Sequence, residues 1–258
     1  MMNAPVPPVE SAIRVENLGL QIGGATILKD VALDVAAGSF VGVIGPNGAG
    51  KTTLFNVISG LVKPTAGRVL MHGKDITSMS VPARARAGLG RTFQTLSLFP
   101  QLSVLENVRL AAQAARGGSG SLLHFPRRAD RAVEIAHEKL RTVGLDHKAA
   151  ALAGDISHGD KRKLEIAVIL ATQADIVLLD EPMAGVASGD VAGLVDNIRT
   201  MQADKGCTVL MVEHHLEVLL GLVEKVAVMY FGSIIAYDTP QKVMADPVVQ
   251  QAYLGSAA

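Results

Sequence analysis

Two hydrophobic periods alternate along the chain. Residues 13–35 switch between apolar and polar positions, as in VENLGLQI and then TILKDVALDV, around Gly23 and Gly24. Period two about a glycine pair predicts an antiparallel hairpin with one face in water. Residues 40–44, FVGVI, are apolar without a break, which predicts a strand buried on both faces. That strand runs through a glycine-rich turn into a helix over residues 51–60, and residues 67–73 predict another short strand. From about residue 104 the pattern turns alanine-rich and helical, with helices at 104–115 and 129–143 flanking a loop, RGGSGSLLHFPRR. A third helix opens at ISHGD, where Ser157 reads as the N-cap and Asp160 as its capping-box partner. Leu164, Ala167, Val168 and Ala171 share one face of it. Strands are then expected at 176–179, 208–212, 226–230 and 234–237, helices at 190–203 and 215–223, and a helical tail. This order reads as one α/β domain over 13–258, with a helical insertion at about 95–172 and a proline-rich, disordered tail at 1–12.

Composition narrows the function classes. In 258 residues, 49% are hydrophobic and 19% charged, which supports a sizeable core and argues against disorder. Lysine plus arginine and aspartate plus glutamate are balanced at 24 each, so charge gives no case for nucleic acid as a partner. Aromatic residues at 3% leave few platforms for stacking single strands. Cys207 is the single cysteine, which excludes an intrachain disulfide and fits a reducing compartment. The first residues carry neither a basic segment nor an apolar run, so no signal peptide is expected. The most apolar region, 216–231, is interrupted by Glu217, Glu224 and Lys225, short of the roughly 18 to 20 apolar residues of a spanning helix.

Chemistry gathers at the strand ends. GPNGAGKTT follows the buried strand and opens a helix, the strand-turn-helix setting that a phosphate-binding P-loop requires. Gly45, Gly48 and Gly50 would let backbone N–H groups turn inward as an anion nest, and Pro46, Asn47 and Ala49 complete the loop around the phosphates. Lys51 would reach the β- and γ-phosphates, Thr52 would bind Mg²⁺, and Thr53 completes the motif. In ADIVLLDEP, Asp180 at the strand tip suits a Mg²⁺ ligand, while Glu181 is expected to point elsewhere by the alternation of side chains and to polarise water. His214 ends another buried strand, where a structural histidine is as natural a reading as a phosphate contact. Gln94, after LGRTF, could coordinate Mg²⁺ or water. Lys161, Arg162 and Lys163 crowd the first turns of the ISHGD helix, against its dipole. A solvated basic face and a site for an anion both fit that arrangement.

The order of these motifs resembles the ATP-binding subunit of ABC transporters, with ISHGD in the place of the LSGGQ signature directly before LLDEP. GRTFQTLSLFPQLSVLENV, LEIA, DEPMAG, VEHH and DPVVQQAYLG are similar to the ATPases of branched-chain amino acid uptake systems. The resemblance implies a P-loop NTPase core carrying an antiparallel β-subdomain and an inserted α-helical one. It also implies a head-to-tail pair of ATPase subunits, identical or not, with ATP and Mg²⁺ between them. Ser157 and Gly159 of each chain would then meet the γ-phosphate held by the other. Gln94, Glu181 and His214 would serve catalysis, and Thr52, Gln94 and Asp180 the metal. Further partners implied are transmembrane permease subunits, docked near residues 94–99 where Leu96, Leu98 and Phe99 cluster, and through them a substrate-binding protein; ordinary core is the other reading of that apolar cluster. The expected location is the cytoplasmic face of the inner membrane, with amino-acid import as the function. A soluble ABC ATPase of a non-transport assembly is the alternative, and the chain lacks the long coiled-coil insertion of repair members. Four residues depart from the family pattern. Ile22 stands where an aromatic stacks on adenine, His158 and Asp160 lie within the signature, and Ala187 stands where Asp or Asn is common.

Overall fold

In the computed structural model, which describes residues 10–92, 98–116 and 125–254, the period-two segment is a hairpin. Strands β1 (Ser11–Ile22) and β2 (Ala25–Ala36) pair antiparallel, with Leu18 opposite Val31 and Ile22 opposite Ala25. The unbroken apolar run is β3 (Phe40–Ile44), buried throughout, and it leads through the P-loop to α1 (Lys51–Ser59). β4 (Ala66–Met71) and β5 (Lys74–Asp75) then join β1 to complete a four-stranded sheet in the order β2-β1-β4-β5.

The chain continues through α2 (Val81–Arg86) and β6 (Leu89–Arg91) to three helices, α3 (Val104–Ala115), α4 (Phe125–Thr142) and α5 (His158–Thr172), which pack on one another. The α/β rhythm resumes with β7 (Ile176–Asp180), α6 (Ser188–Lys205), β8 (Thr208–Val212), α7 (Leu216–Leu220) and β9 (Lys225–Tyr230). β10 (Ser233–Asp238), α8 (Pro240–Ala245) and α9 (Pro247–Leu254) follow. The second sheet runs β10-β9-β3-β8-β7-β6, parallel except for β10. The P-loop strand is therefore central, and ligands of open α/β sheets bind beyond such carboxyl ends.

Alternation within each buried strand divides the interior in two. Val41, Val43, Leu178, Leu210 and Val212 pack with α1 and the β1–β2 hairpin. Phe40, Ile44, Val177, Leu179 and Met211 pack with the helices on the other face. Covering both faces is why these strands read as continuous apolar runs. Among the described residues no helix is long and apolar enough to cross a membrane.

The structure departs from the sequence pattern in a few places. β1 begins at Ser11, inside the stretch expected to be tail, because Ser11 and Ile13 pair with Ala36 and Val35. α4 begins at Phe125 rather than 129; a proline in the first turn costs no hydrogen bond, so Pro126 does not stop it. α7 is shorter than expected, ending at Leu220 before Gly221. The six-residue α2 and two-residue β5 are too short to carry a hydrophobic period. At α5 the Ser157 cap forms, its Oγ accepting from the Asp160 N–H at 3.1 Å. The Asp160 carboxylate, however, is held by Lys148 Nζ at 2.5 Å, a partner from outside the capping box. Burial pushes the Asp160 pKa up, but the hydrogen bonds of Lys148 and Ser157 outweigh it and the net shift is downward.

One buried cation fastens the end of α1. Arg84, only 1% exposed, donates through Nη1 to the carbonyls of Val57 and Ile58 at 2.7 and 2.6 Å. Its Nε and Nη2 reach the carbonyls of Met79 and Thr77 at 3.1 and 2.9 Å. Burial lowers its pKa, with the charge of Asp75 acting in the opposite sense. It caps the orphan carbonyls of the helix carboxyl end in place of water. The Gly60 N–H also donates to the Val57 carbonyl at 3.1 Å. Arg84→Met therefore keeps much of the side-chain volume and strands chiefly the carbonyls of Ile58, Thr77 and Met79, which should cost about 3 kcal/mol of stability. A fall in the urea midpoint at unchanged slope would measure this, and an unchanged midpoint would contradict the role.

Candidate nucleotide site

The P-loop is shaped by what lies beneath it. A Cβ on Gly45 would stand 2.1 Å from the Met229 carbonyl oxygen, and one on Gly50 would stand 3.0 Å from Leu28 Cδ2. Gly45, Gly48 and Gly50 all take positive φ, at 150, 79 and 101°. Gly50 is the N-cap of α1 and offers no side-chain cap, so N–H groups of the first turn are left for another acceptor. Between them, Ala49 N–H donates to the Pro46 carbonyl at 3.2 Å, and Asn47 is exposed. Lys51 is buried and folds back on the loop, donating from Nζ to the carbonyls of Gly45 at 2.7 Å and Pro46 at 3.0 Å. Burial lowers its pKa, while Glu181 and then Asp180 raise it, so both acids lie within electrostatic reach. Thr52 and Thr53, both half-buried, occupy the first turn of α1.

Asp180 and Glu181 separate by a different device from the expected one. β7 ends at Asp180, and Glu181 takes φ 50°, so a left-handed turn rather than strand alternation redirects the second carboxylate. Asp180 is buried and accepts from Arg91 Nη2 at 3.0 Å, and Arg91 Nη1 in turn donates to Ser59 Oγ at 2.6 Å. Burial raises the Asp180 pKa and Arg91 lowers it; burial likewise lowers the pKa of Arg91, with Asp180 opposing. The other oxygen, Asp180 Oδ1, is buried and takes no hydrogen bond among the described residues. Among those residues no three His, Cys, Asp or Glu side chains form a metal-holding group. An ion at Asp180 Oδ1 would thus draw most of its ligands from phosphate, water and a hydroxyl, a donor set that suits Mg²⁺. Glu181 Oε1 lies 2.9 Å from His214 Nε2. An ionised carboxylate only accepts, which puts the imidazole proton on Nε2.

The expected residues fall into two groups. Lys51, Asp180, Glu181 and His214 converge at the ends of β3, β7 and β8. Ser157 and Gly159 start α5, whose neighbours are the turn after β7 and the start of α6. A Cβ on Gly159 would meet Asp190 Oδ2 at 3.1 Å, and one on Gly185 would meet His158 Cε1 at 2.9 Å. The basic run is partly spent inside the chain, Lys161 on the Gly154 carbonyl and Arg162 on the buried Glu165. Gln94 and Leu96 lie outside the described residues. Leu98 packs against the core, whereas Phe99 is 60% exposed and its backbone is held by Asn107, which accepts from its N–H at 2.8 Å.

Arg91, Thr92 and Glu213 belong to the site without a sequence signal of their own. Thr92 Oγ1 accepts from the Asp180 N–H at 3.0 Å. Glu213, buried, accepts from the N–H groups of Met183 at 2.8 Å and His214 at 3.0 Å, joining the end of β8 to the turn after β7. Only the pairing of β6, β7 and β8 makes these neighbours.

Comparisons with known proteins fit this geometry. Residues 28–184 match the family described as ABC transporter, and residues 233–258 match branched-chain amino acid ATP-binding cassette transporter. The high-affinity branched-chain amino acid transport ATP-binding protein LivG of Escherichia coli K12 is 35% identical over 95% of this chain and 98% of its own. The lipopolysaccharide export system ATP-binding protein LptB of the same organism is 34% identical, with 95% and 98% covered. The crystal structure of MJ1267, an ABC transporter cassette in its ADP conformation, superposes with a TM-score of 0.82 at 33% identity, over 95% of this chain and 99% of that one. A dimeric cassette, MJ0796 in a post-hydrolysis state with ADP and phosphate, gives a TM-score of 0.74 at 26% identity, with 88% and 98% covered. Nucleotide binding and dimeric cassettes are thus properties of the structures that this fold matches. With the family matched over the P-loop and the strand that carries Asp180, and a relative aligned along nearly the whole length, the chain belongs to the ABC transporter ATPase family.

Proposed function

We propose that this chain is the ATP-hydrolysing subunit of an importer for branched-chain or other hydrophobic amino acids. The hydrogen bond between Glu181 and His214, beside a buried Lys51, is the observation that carries hydrolysis. The match of residues 233–258 favours amino-acid import over the export role named for LptB, since that segment is described for branched-chain amino acid transporters.

The chemistry follows from the charges. ATP would take Lys51 Nζ from the Gly45 and Pro46 carbonyls, exchanging neutral acceptors for phosphate oxygens. Thr52 and the free oxygen of Asp180 would hold Mg²⁺, which neutralises charge on the β- and γ-phosphates. Arg91 keeps the Asp180 carboxylate oriented from behind. Glu181 would orient and polarise the attacking water, and His214, hydrogen-bonded to Glu181, would contact the γ-phosphate. Gln94 would complete the metal and water contacts.

Ser157 and Gly159 supply the other half of the site in our reading. The start of α5 presents Ser157 outward, and a second ATPase subunit in head-to-tail contact would place its phosphates there. Residues 104–172 would then move as a helical unit when nucleotide closes the pair. Membrane attachment would come through permease subunits. Their docking place is a cleft of about 640 Å³ between α2–β6 and the helices α3 and α5, lined by Ala85, Ala111, Ala114, Val168 and Thr172. The exposed Phe99 stands just before α3.

Glu181→Gln keeps the shape of the site and removes the water-polarising charge. Phosphate release should fall at least about 100-fold, with ATP binding retained and a stable dimer on ATP in size-exclusion chromatography. Normal turnover would overturn the assignment of Glu181. Ala114→Glu places a charge in the cleft from an exposed helix position. Leucine uptake by vesicles holding the full transporter should be lost while ATP still binds, and undiminished uptake would remove the cleft from the docking surface.

A further inference from the structure

The turn between β9 and β10 holds a costly residue. Phe231 is 79% exposed, the highest value among the large hydrophobic side chains of the described residues. Its φ is 43°, in the left-handed region that asparagine and glycine tolerate and a bulky ring does not. An apolar ring in water on a strained backbone needs a reason, and such strain concentrates where ligands bind.

This turn is fastened to the P-loop. Gly232 N–H donates to the Ala49 carbonyl at 3.0 Å, and its own carbonyl accepts from Lys29 N–H at 2.9 Å. A Cβ on Gly232 would stand 2.4 Å from the Ile27 carbonyl oxygen, so the turn is pressed against the start of β2. The Tyr230 ring meets the Phe231 ring at 4.4 Å between centroids and 70° between planes, bracing it edge to face.

The strand order gives the turn its place relative to a nucleotide. β8 and β7 lie on one side of β3 and end in the Asp180, Glu181 and His214 group; β9 and β10 lie on the other. A nucleoside triphosphate across the P-loop, with its γ-phosphate toward Glu181, carries its base toward the β9–β10 turn and the β1–β2 hairpin. On that hairpin Ile22 is 56% exposed and offers no ring.

We propose that Phe231 is the aromatic surface on which the base of the bound nucleotide stacks, in place of an aromatic at Ile22. This rests on the reading of the P-loop as the ATP site. Stacking on a phenyl ring is tolerant of the base, so ATP and GTP should bind within about tenfold of each other.

The chain has no tryptophan, so Phe231→Trp introduces a single reporter. Its fluorescence should change on titration with ATP and stay unchanged with inorganic tripolyphosphate. Phe231→Asn suits the left-handed backbone and should fold with an unlowered Tm. Its Kd for ATP should rise about tenfold, with the Kd for tripolyphosphate unaltered. An unchanged Kd for ATP in Phe231→Asn overturns the proposal while leaving the P-loop reading intact. So does an equal weakening toward both ligands, which would make Phe231 a prop for the loop. A wild-type chain that binds neither ligand overturns both readings.

Discussion

The contact between Gly45 and the Met229 carbonyl constrains everything above the central sheet. With 2.1 Å between that oxygen and the position of a Cβ, β3 can pass into the P-loop only through a residue without one. The loop is pressed onto the end of β9 and onto β2, where Ala49 and Gly232 hydrogen-bond at 3.0 Å. A loop held this closely keeps the positive-φ turns of Gly45, Gly48 and Gly50 before any anion arrives. That preorganisation is what an anion nest contributes to binding. The same seating brings the β9–β10 turn, and Phe231 with it, to the rim of the site.

Among the described residues, charge around that seat is arranged so that Lys51, Arg91 and Asp180 each have a partner while one oxygen of Asp180 accepts no hydrogen bond. Arg91 neutralises Asp180 from below, and Lys51 rests on two carbonyls while feeling Glu181 and Asp180. Burial opposes ionisation of Lys51, Arg91 and Asp180 alike, so the arrangement is costly unless the charges compensate one another. Asp180 Oδ1, buried and without a hydrogen bond among the described residues, is the remainder of that balance. Arg84 solves a neighbouring problem without any carboxylate, by satisfying helix-end carbonyls.

The departures at the signature are absorbed locally. His158 lies over Gly185, where a Cβ would come within 2.9 Å of its ring, so a glycine at 185 makes room for the imidazole. Asp160 is held by Lys148, and Asp190 approaches Gly159 from the start of α6. Ala187, at the N-cap of α6, supplies no side-chain cap, and the α6 start relies on the Asp190 N–H to Ala187 carbonyl bond at 2.8 Å. These contacts lie within one chain and tie the start of α5 to the segment that follows Glu181.

What the sequence determined by itself was whatever depends on neighbours in the chain. Period two around Gly23 and Gly24 specified the hairpin, unbroken apolar runs specified the buried strands, and GPNGAGKTT specified a glycine-rich passage from strand to helix because strand, turn and helix are contiguous there. The Ser157 cap was legible for the same reason, its acceptor and donor being three residues apart. Only the tertiary structure decided what depends on register between distant strands. Arg91 meets Asp180 because β6 pairs with β7, and Glu213 reaches Met183 because β8 ends beside the turn after β7. The turn of Glu181 out of the strand, the carbonyl cage of Arg84 and the approach of the Phe231 turn to Ala49 are likewise outcomes of packing. Local pattern records the period and the turn chemistry of a segment. It carries no record of which strand will lie alongside, and these parts of the site exist only where two strands or turns meet.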